Sequence, residues 1–149
     1  MRNSVRRLVL TGAAALLAAP VVASAQGREV IIPQGGRGSA TLSPAVKVGN
    51  LVFASGQLPA RGDSTIETQT TSALNNIKGI FEAAGTKMEN AVKCTVFLVD
   101  VKDFQGMNSV YSKFWSPENP PPARSTVAVA ALVTATAKLE VECIAAMPK

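Results

Sequence analysis

Histidine is absent from the 149-residue chain, and tyrosine and tryptophan each occur once. Without imidazole the commonest general base is missing, so any proton transfer falls to carboxylates, hydroxyls or amines. The two cysteines, Cys94 and Cys143, lie in separate β-favouring segments without C-x-x-C spacing. Two thiols and no imidazole exclude an ordinary zinc site, so no metal ligands are expected. The simplest reading of the pair is two small buried apolar residues, with one disulfide as the alternative. Aromatic residues make up only 5% of the chain. No stripe of interleaved aromatic and basic residues marks a nucleic-acid surface.

Long apolar runs are also scarce; the exception is Leu8 to Val22, preceded by Arg2, Arg6 and Arg7 and followed by Ala23-Ser24-Ala25. A basic start, a short apolar run and a small-x-small end read as an export signal over residues 1–25. The run falls short of the roughly 20 residues of a membrane span, so cleavage rather than anchoring is expected. Arg6-Arg7 fits either an ordinary basic start or a twin-arginine signal. The expected location is periplasmic or secreted. Three of the 15 basic residues lie in this segment, leaving 12 basic against 10 acidic over 26–149. That near balance weakens the case for nucleic acid as a partner.

Residues 26–149 are one domain by length, with 26–41 a flexible lead-in around Gln34-Gly35-Gly36-Arg37-Gly38-Ser39. Ala45 to Val48 and Leu51 to Ala54 flank Gly49-Asn50 and read as a β-hairpin. Leu74, Ile77, Phe81 and Ala84 recur at helical spacing over Glu67 to Ala84, before Gly85 as a helix stop. Ala91 to Val99 is a strand. A second helix starts at Asp103 and aligns Phe104, Met107, Val110 or Tyr111, and Phe114 before the prolines that begin at Pro117. Two further strands, Arg124 to Ala131 and Lys138 to Ala145, are joined by a turn around Thr134 to Thr136. The order predicts an α+β fold, a mixed sheet with two helices packed on one face.

Two charges stand out in the last strands. Arg124 follows Pro120-Pro121-Pro122-Ala123, and Glu140 lies sixteen residues later. Alternation groups Arg124 with Thr126 and Ala128, and Glu140 with Lys138 and Glu142. These are either ordinary exposed charges or a site. If the strands are antiparallel neighbours, a guanidinium that forks onto a carboxylate and a glutamate that handles water face one cleft.

Pro122-Ala123-Arg124-Ser125 with Leu139-Glu140-Val141-Glu142 resembles the signature of the Rid (YjgF-type, reactive intermediate deaminase) family. Val52-Phe53-Ala54-Ser55-Gly56-Gln57-Leu58-Pro59, Asn75-Asn76-Ile77-Lys78 to Ala83-Ala84-Gly85, and Val92 to Asp100 match in the same order. Asp103-Phe104 with Asn108, Tyr111 and Phe114 does too. The resemblance implies a chorismate-mutase-like fold and a homotrimer with ligand clefts between subunits. It implies cofactor-independent hydrolysis of 2-imino (enamine) acids to 2-oxo acids and ammonia. Arg124 would grip the substrate carboxylate, and Glu140, after a turn one residue longer than in the best-known members, would position water. Ser55, Gly56 and Asn108 would line the cleft, with Thr126 contributing backbone contacts where many relatives have cysteine.

The chain departs from the family at Ser43-Pro44-Ala45, where typical deaminases carry Gly-Pro-Tyr, so Ala45 is expected to leave the pocket without that ring. A second reading is therefore a non-catalytic trimer that binds small carboxylate metabolites or acts as a holdase for unfolded clients. A ribonuclease, as some relatives have been described, is disfavoured by the missing histidine and the balanced charge.

Overall fold

A computed structural model describes residues 27–149. The export segment expected over 1–25 lies outside the described residues. The elements run β1 (Arg28–Ile31), β2 (Ala45–Val48), β3 (Leu51–Gln57), α1 (Ile66–Ala83), β4 (Ala91–Leu98), α2 (Phe104–Tyr111), β5 (Ala123–Ala128) and β6 (Leu139–Ala146).

Local chemistry fixes most of these boundaries. Gly49 sits at φ 61° in the β2–β3 turn, a conformation that glycine adopts without penalty. Thr65 caps α1: its side chain accepts from the Thr68 N–H, and the Thr68 hydroxyl accepts from the Thr65 N–H. Gly85, at φ 84°, ends that helix. Asp103 precedes α2 as expected but makes no side-chain cap bond. Its carboxylate takes the Lys138 ammonium at 3.2 Å instead. Asp100 does the local capping, accepting from the Lys102 N–H at 2.9 Å at the start of a 3-10 turn.

The six strands form one sheet in the order β1-β2-β3-β6-β4-β5. Among the described residues only β4 and β5 pair in parallel. A parallel pair needs a crossover, and α2 supplies it. β3 and β4 each pair antiparallel to β6 and so run the same way, with α1 as the link between them. Both helices cover one face and bury Leu74, Ile77, Phe81 and Met107 against Val52, Val96, Leu139 and Val141. The α+β architecture expected from the pattern is the one observed.

Two expectations are corrected. β5 and β6 are not neighbours, because β4 lies between them. Cys94, Val96 and Leu98 are all buried, which suits β4 to a central position. The segment 129–138 then passes from the sheet edge back to the centre. The cysteines are also not free: Cys94 and Cys143 form a disulfide between strands, with Cα atoms 4.1 Å apart. They are direct register partners on β4 and β6, a pairing across 49 residues of chain that alternation alone does not reveal. Within the segment read as a lead-in, Arg28–Ile31 pairs with β2 and extends the sheet.

Candidate functional site

Arg124 lies on the edge strand β5, opposite Cys94 in register and on the face that the helices cover. Its guanidinium carbon is 4.5 Å from the centre of the Tyr111 ring and 5.9 Å from that of Phe104. One of its nitrogens, Nη1, donates to the Met107 sulfur at 3.9 Å. Among the described residues Arg124 joins no ion pair. The guanidinium borders an open cleft of about 400 Å³, lined with Asn108, Tyr111, Ser112, Pro121 and Pro122. The prolines restrict the backbone that leads into β5, and so fix where Arg124 starts.

Thr126 is two residues farther along the same side of β5. Its hydroxyl is buried without a hydrogen-bond partner among the described residues. The Tyr111 hydroxyl is likewise buried and unpartnered. Burial pushes its pKa up to about 12, against the lowering pull of Arg124. The phenol is therefore neutral at ordinary pH and does not cancel the charge of the guanidinium.

Glu140 occupies a different corner. Leu139, Val141 and Cys143 are buried under the helices, so Glu140 and Glu142 emerge on the opposite face. Glu140 is the register partner of Phe97, whose partner on the other side is Val127. The register between β3 and β6 slips between Ala54 and Gln57, placing a bulge at Ser55-Gly56. There the Glu140 carboxylate lies directly against Gly56; a Cβ at this position would overlap its oxygen. Ser55 does not offer its hydroxyl to a cleft: it donates to the Ser43 carbonyl at 2.6 Å. The Ser55 N–H donates to the Pro44 carbonyl at 2.9 Å, so the bulge is tied to the chain entering β2.

The expected residues thus divide into two groups. Arg124, Thr126 and Asn108 gather on the helix side; Glu140, Gly56 and Ser55 gather on the open side. Within one chain Arg124 and Glu140 do not share a cleft, contrary to the expectation from neighbouring strands. The reason is parity of register: Arg124 stands in the row of Cys94 and Cys143, and Glu140 in the row of Phe97 and Val127. Ala45 is fully buried, with Ala54 and Ile31 as register partners. It is a core position, not a vacated place in a cleft. The exposed apolar residue on that approach is Leu42.

The β1–β6 sheet with its two helices is shared with known proteins. A family model described as endoribonuclease L-PSP matches residues 37–147. The chain belongs to this L-PSP (Rid/YjgF/RutC) family. It is 40% identical over 106 residues to the 2-iminobutanoate/2-iminopropanoate deaminase of Escherichia coli (strain K12), covering 67% of this chain and 82% of that protein. It is 40% identical over 136 residues to the chloroplastic Reactive Intermediate Deaminase A of Arabidopsis thaliana, covering 85% of this chain and 70% of that one. The crystal structure of E. coli TdcF with bound serine superposes with a TM-score of 0.72 at 35% identity, covering 80% of this chain and 99% of that one. The fold is the chorismate-mutase-like fold of the Rid/YjgF proteins.

In this Rid chain the sequence motifs do not reveal two parts of the site. Phe104, Met107 and Tyr111 read as one apolar helical stripe, but their contacts with Arg124 depend on β5 docking beneath α2. Gln69, a buried polar residue of α1, donates to the Thr136 carbonyl at 3.0 Å and accepts from the Lys138 N–H at 2.7 Å. It fastens the crossover segment just before Glu140. A sequence signal for the first feature does exist. β5 carries its apolar residue on the open side, with Val127 44% exposed, while Arg124 and Thr126 turn toward the helices. A strand with its polarity inverted in this way marks a position kept for something other than core packing.

Proposed function

We propose that this chain hydrolyses 2-imino/enamine acids to 2-oxo acids and ammonia without a cofactor, at sites formed between the copies of a homotrimer. The observation that carries this reading is Arg124: a guanidinium at an open cleft, held by two rings and a thioether, with no acid paired to it among the described residues. Such a group is complementary to a small carboxylate-bearing substrate, which it binds through two parallel N–H···O bonds. The names of the E. coli and Arabidopsis relatives point to the reaction.

Arg124 would bind the carboxylate, with Asn108 lining that half of the cleft and Thr126 contributing backbone contacts. Glu140 of a neighbouring copy, set against Gly56, would accept a proton from water as its oxygen adds to the imine carbon. That proton passes to the nitrogen to give a carbinolamine. The carbinolamine hydroxyl then yields its own proton, carried by the same carboxylate to the nitrogen, as the C–N bond breaks and the C=O forms, leaving a 2-oxo acid and ammonia. Assembly is supported by the open face of the sheet. Phe53 is 41% exposed there, and a cleft of about 350 Å³ lined by Phe53, Lys93, Thr95, Glu142 and Ile144 has no layer over it among the described residues. The trimer itself is what the family resemblance implies.

The export reading over residues 1–25 extends the proposal to a periplasmic or secreted enzyme. The disulfide supports it, because paired cysteines persist mainly in oxidising compartments. No nucleic acid is assigned as a partner. Among the described residues no helix is long and apolar enough to cross a membrane.

The test is imine hydrolysis by the purified protein when an amino-acid oxidase generates the imine. The protein should accelerate ammonia release, and Arg124→Ala should abolish the acceleration. Tight binding of a 2-oxo acid without turnover would favour the alternative, a non-catalytic binding trimer. Its holdase form would instead suppress aggregation of an unfolded client independently of Arg124.

A further inference from the structure

Arg124 differs from most partly buried arginines in what surrounds it. A guanidinium removed from water is ordinarily matched by a carboxylate. Here the neighbours are the faces of Tyr111 and Phe104 and the Met107 sulfur. Tyr111 is nearest, and it is itself held. The Trp115 ring lies 4.5 Å from it at an interplanar angle of 34°, and Trp115 Nε1 donates to the Met88 carbonyl at 3.3 Å. A rigid run therefore leads from the backbone before β4, through Trp115 and Tyr111, to the guanidinium.

We propose that Tyr111 is a positioning residue for the carboxylate clamp: its ring face holds the Arg124 guanidinium in place while itself taking none of the N–H groups that meet the substrate. This inference rests on the deaminase reading for its ligand class. An acid in the same place would also hold the arginine, but it would occupy the N–H groups that the substrate needs. A ring attracts the cation through its face and competes for none of them. The Tyr111 hydroxyl, unpartnered among the described residues, contributes no hydrogen bond there, so the ring is the working part.

The test uses the purified protein with 2-oxobutanoate as the titrated ligand. Calorimetry is run on the wild type and on Arg124→Ala, Tyr111→Phe, Tyr111→Leu and Tyr111→Met. The wild type and Tyr111→Phe should bind alike. Tyr111→Leu and Tyr111→Met, which keep bulk but lose the ring, should bind about three- to thirty-fold more weakly. In the imine assay these two should raise KM with kcat little changed, and thermal melting shows which variants are folded. A ligand-free signature separates positioning from packing. The Arg124 side-chain NMR signals should be ring-current shifted in wild type and Tyr111→Phe, and should move toward free-arginine positions in the other two.

Wild-type protein that neither binds the oxo acid nor turns over imine sinks the functional reading, and this inference with it. Binding that Arg124→Ala abolishes, but folded Tyr111→Leu and Tyr111→Met leave unchanged, overturns the role of Tyr111 alone. So do arginine signals that stay in place in both variants.

Discussion

Arg124 and Tyr111 set one another's chemistry. The arginine gains a cation–π partner and, among the described residues, no competing anion, while the tyrosine is kept neutral by burial despite the adjacent positive charge. Because Tyr111 is the only tyrosine in the chain, its titration is directly visible as phenolate absorbance. The folded protein should titrate near pH 12, and the unfolded chain near the ordinary value of 10.0. A raised folded pKa means that the fold favours the neutral phenol. That stability is complete below about pH 10 and is lost as pH climbs toward 12, so unfolding midpoints should fall across this window. A folded titration midpoint at the ordinary value would show the ring to be solvated. The sequence made the identities of Arg124 and Glu140 readable through their flanking motifs, and alternation grouped each with the correct strand-mates. It did not show that their faces are opposed, because that depends on which side of β5 meets α2.

At the scale of elements, short-range chemistry was readable and long-range pairing was not. The Gly49-Asn50 hairpin, the α1 stripe ending before Gly85 and the proline stop after α2 are each set within a few residues, and each is present. Strand order is decided by contacts far apart in the chain. The turn between the last two strands left open whether they are neighbours, and β4 separates them. The disulfide escaped for the same reason: Cys94 and Cys143 meet only once β4 and β6 are in register. Closing a loop across 49 residues should stabilise the fold by about 2–4 kcal/mol. That is a large share of the roughly 5–15 kcal/mol typical of a domain. Urea unfolding of the oxidised and reduced protein measures it directly. The reduced form should unfold at clearly lower urea; coincident curves would show that the bridge adds nothing.

At the scale of the molecule, the separation of the two groups makes a prediction that no single variant can test. An Arg124→Ala chain keeps the Glu140 corner, and a Gly56→Ala chain keeps the Arg124 corner. In the latter the added methyl displaces a carboxylate at the end of a flexible side chain, so the fold should survive while the Glu140 carboxylate, the proposed water-handling group, moves. A displacement on the order of 1 Å costs about 100-fold in rate. Each variant should be nearly inactive alone. Unfolded together and refolded as a mixture, they should regain activity, because under the proposed assembly some interfaces then join two intact halves. Mixtures that assemble yet remain as inactive as their parents would show that both halves act within one chain.

The opposed faces of β5 and β6 also bear on how such a protein responds to dilution. Under the proposed assembly, the reacting geometry belongs to a contact between chains, and a folded chain by itself holds two unlike fragments of it. Rate per chain then depends on how much protein is present, falling away when subunits part even though every chain keeps its secondary structure. Local abundance then becomes the setting that turns the proposed chemistry on or off.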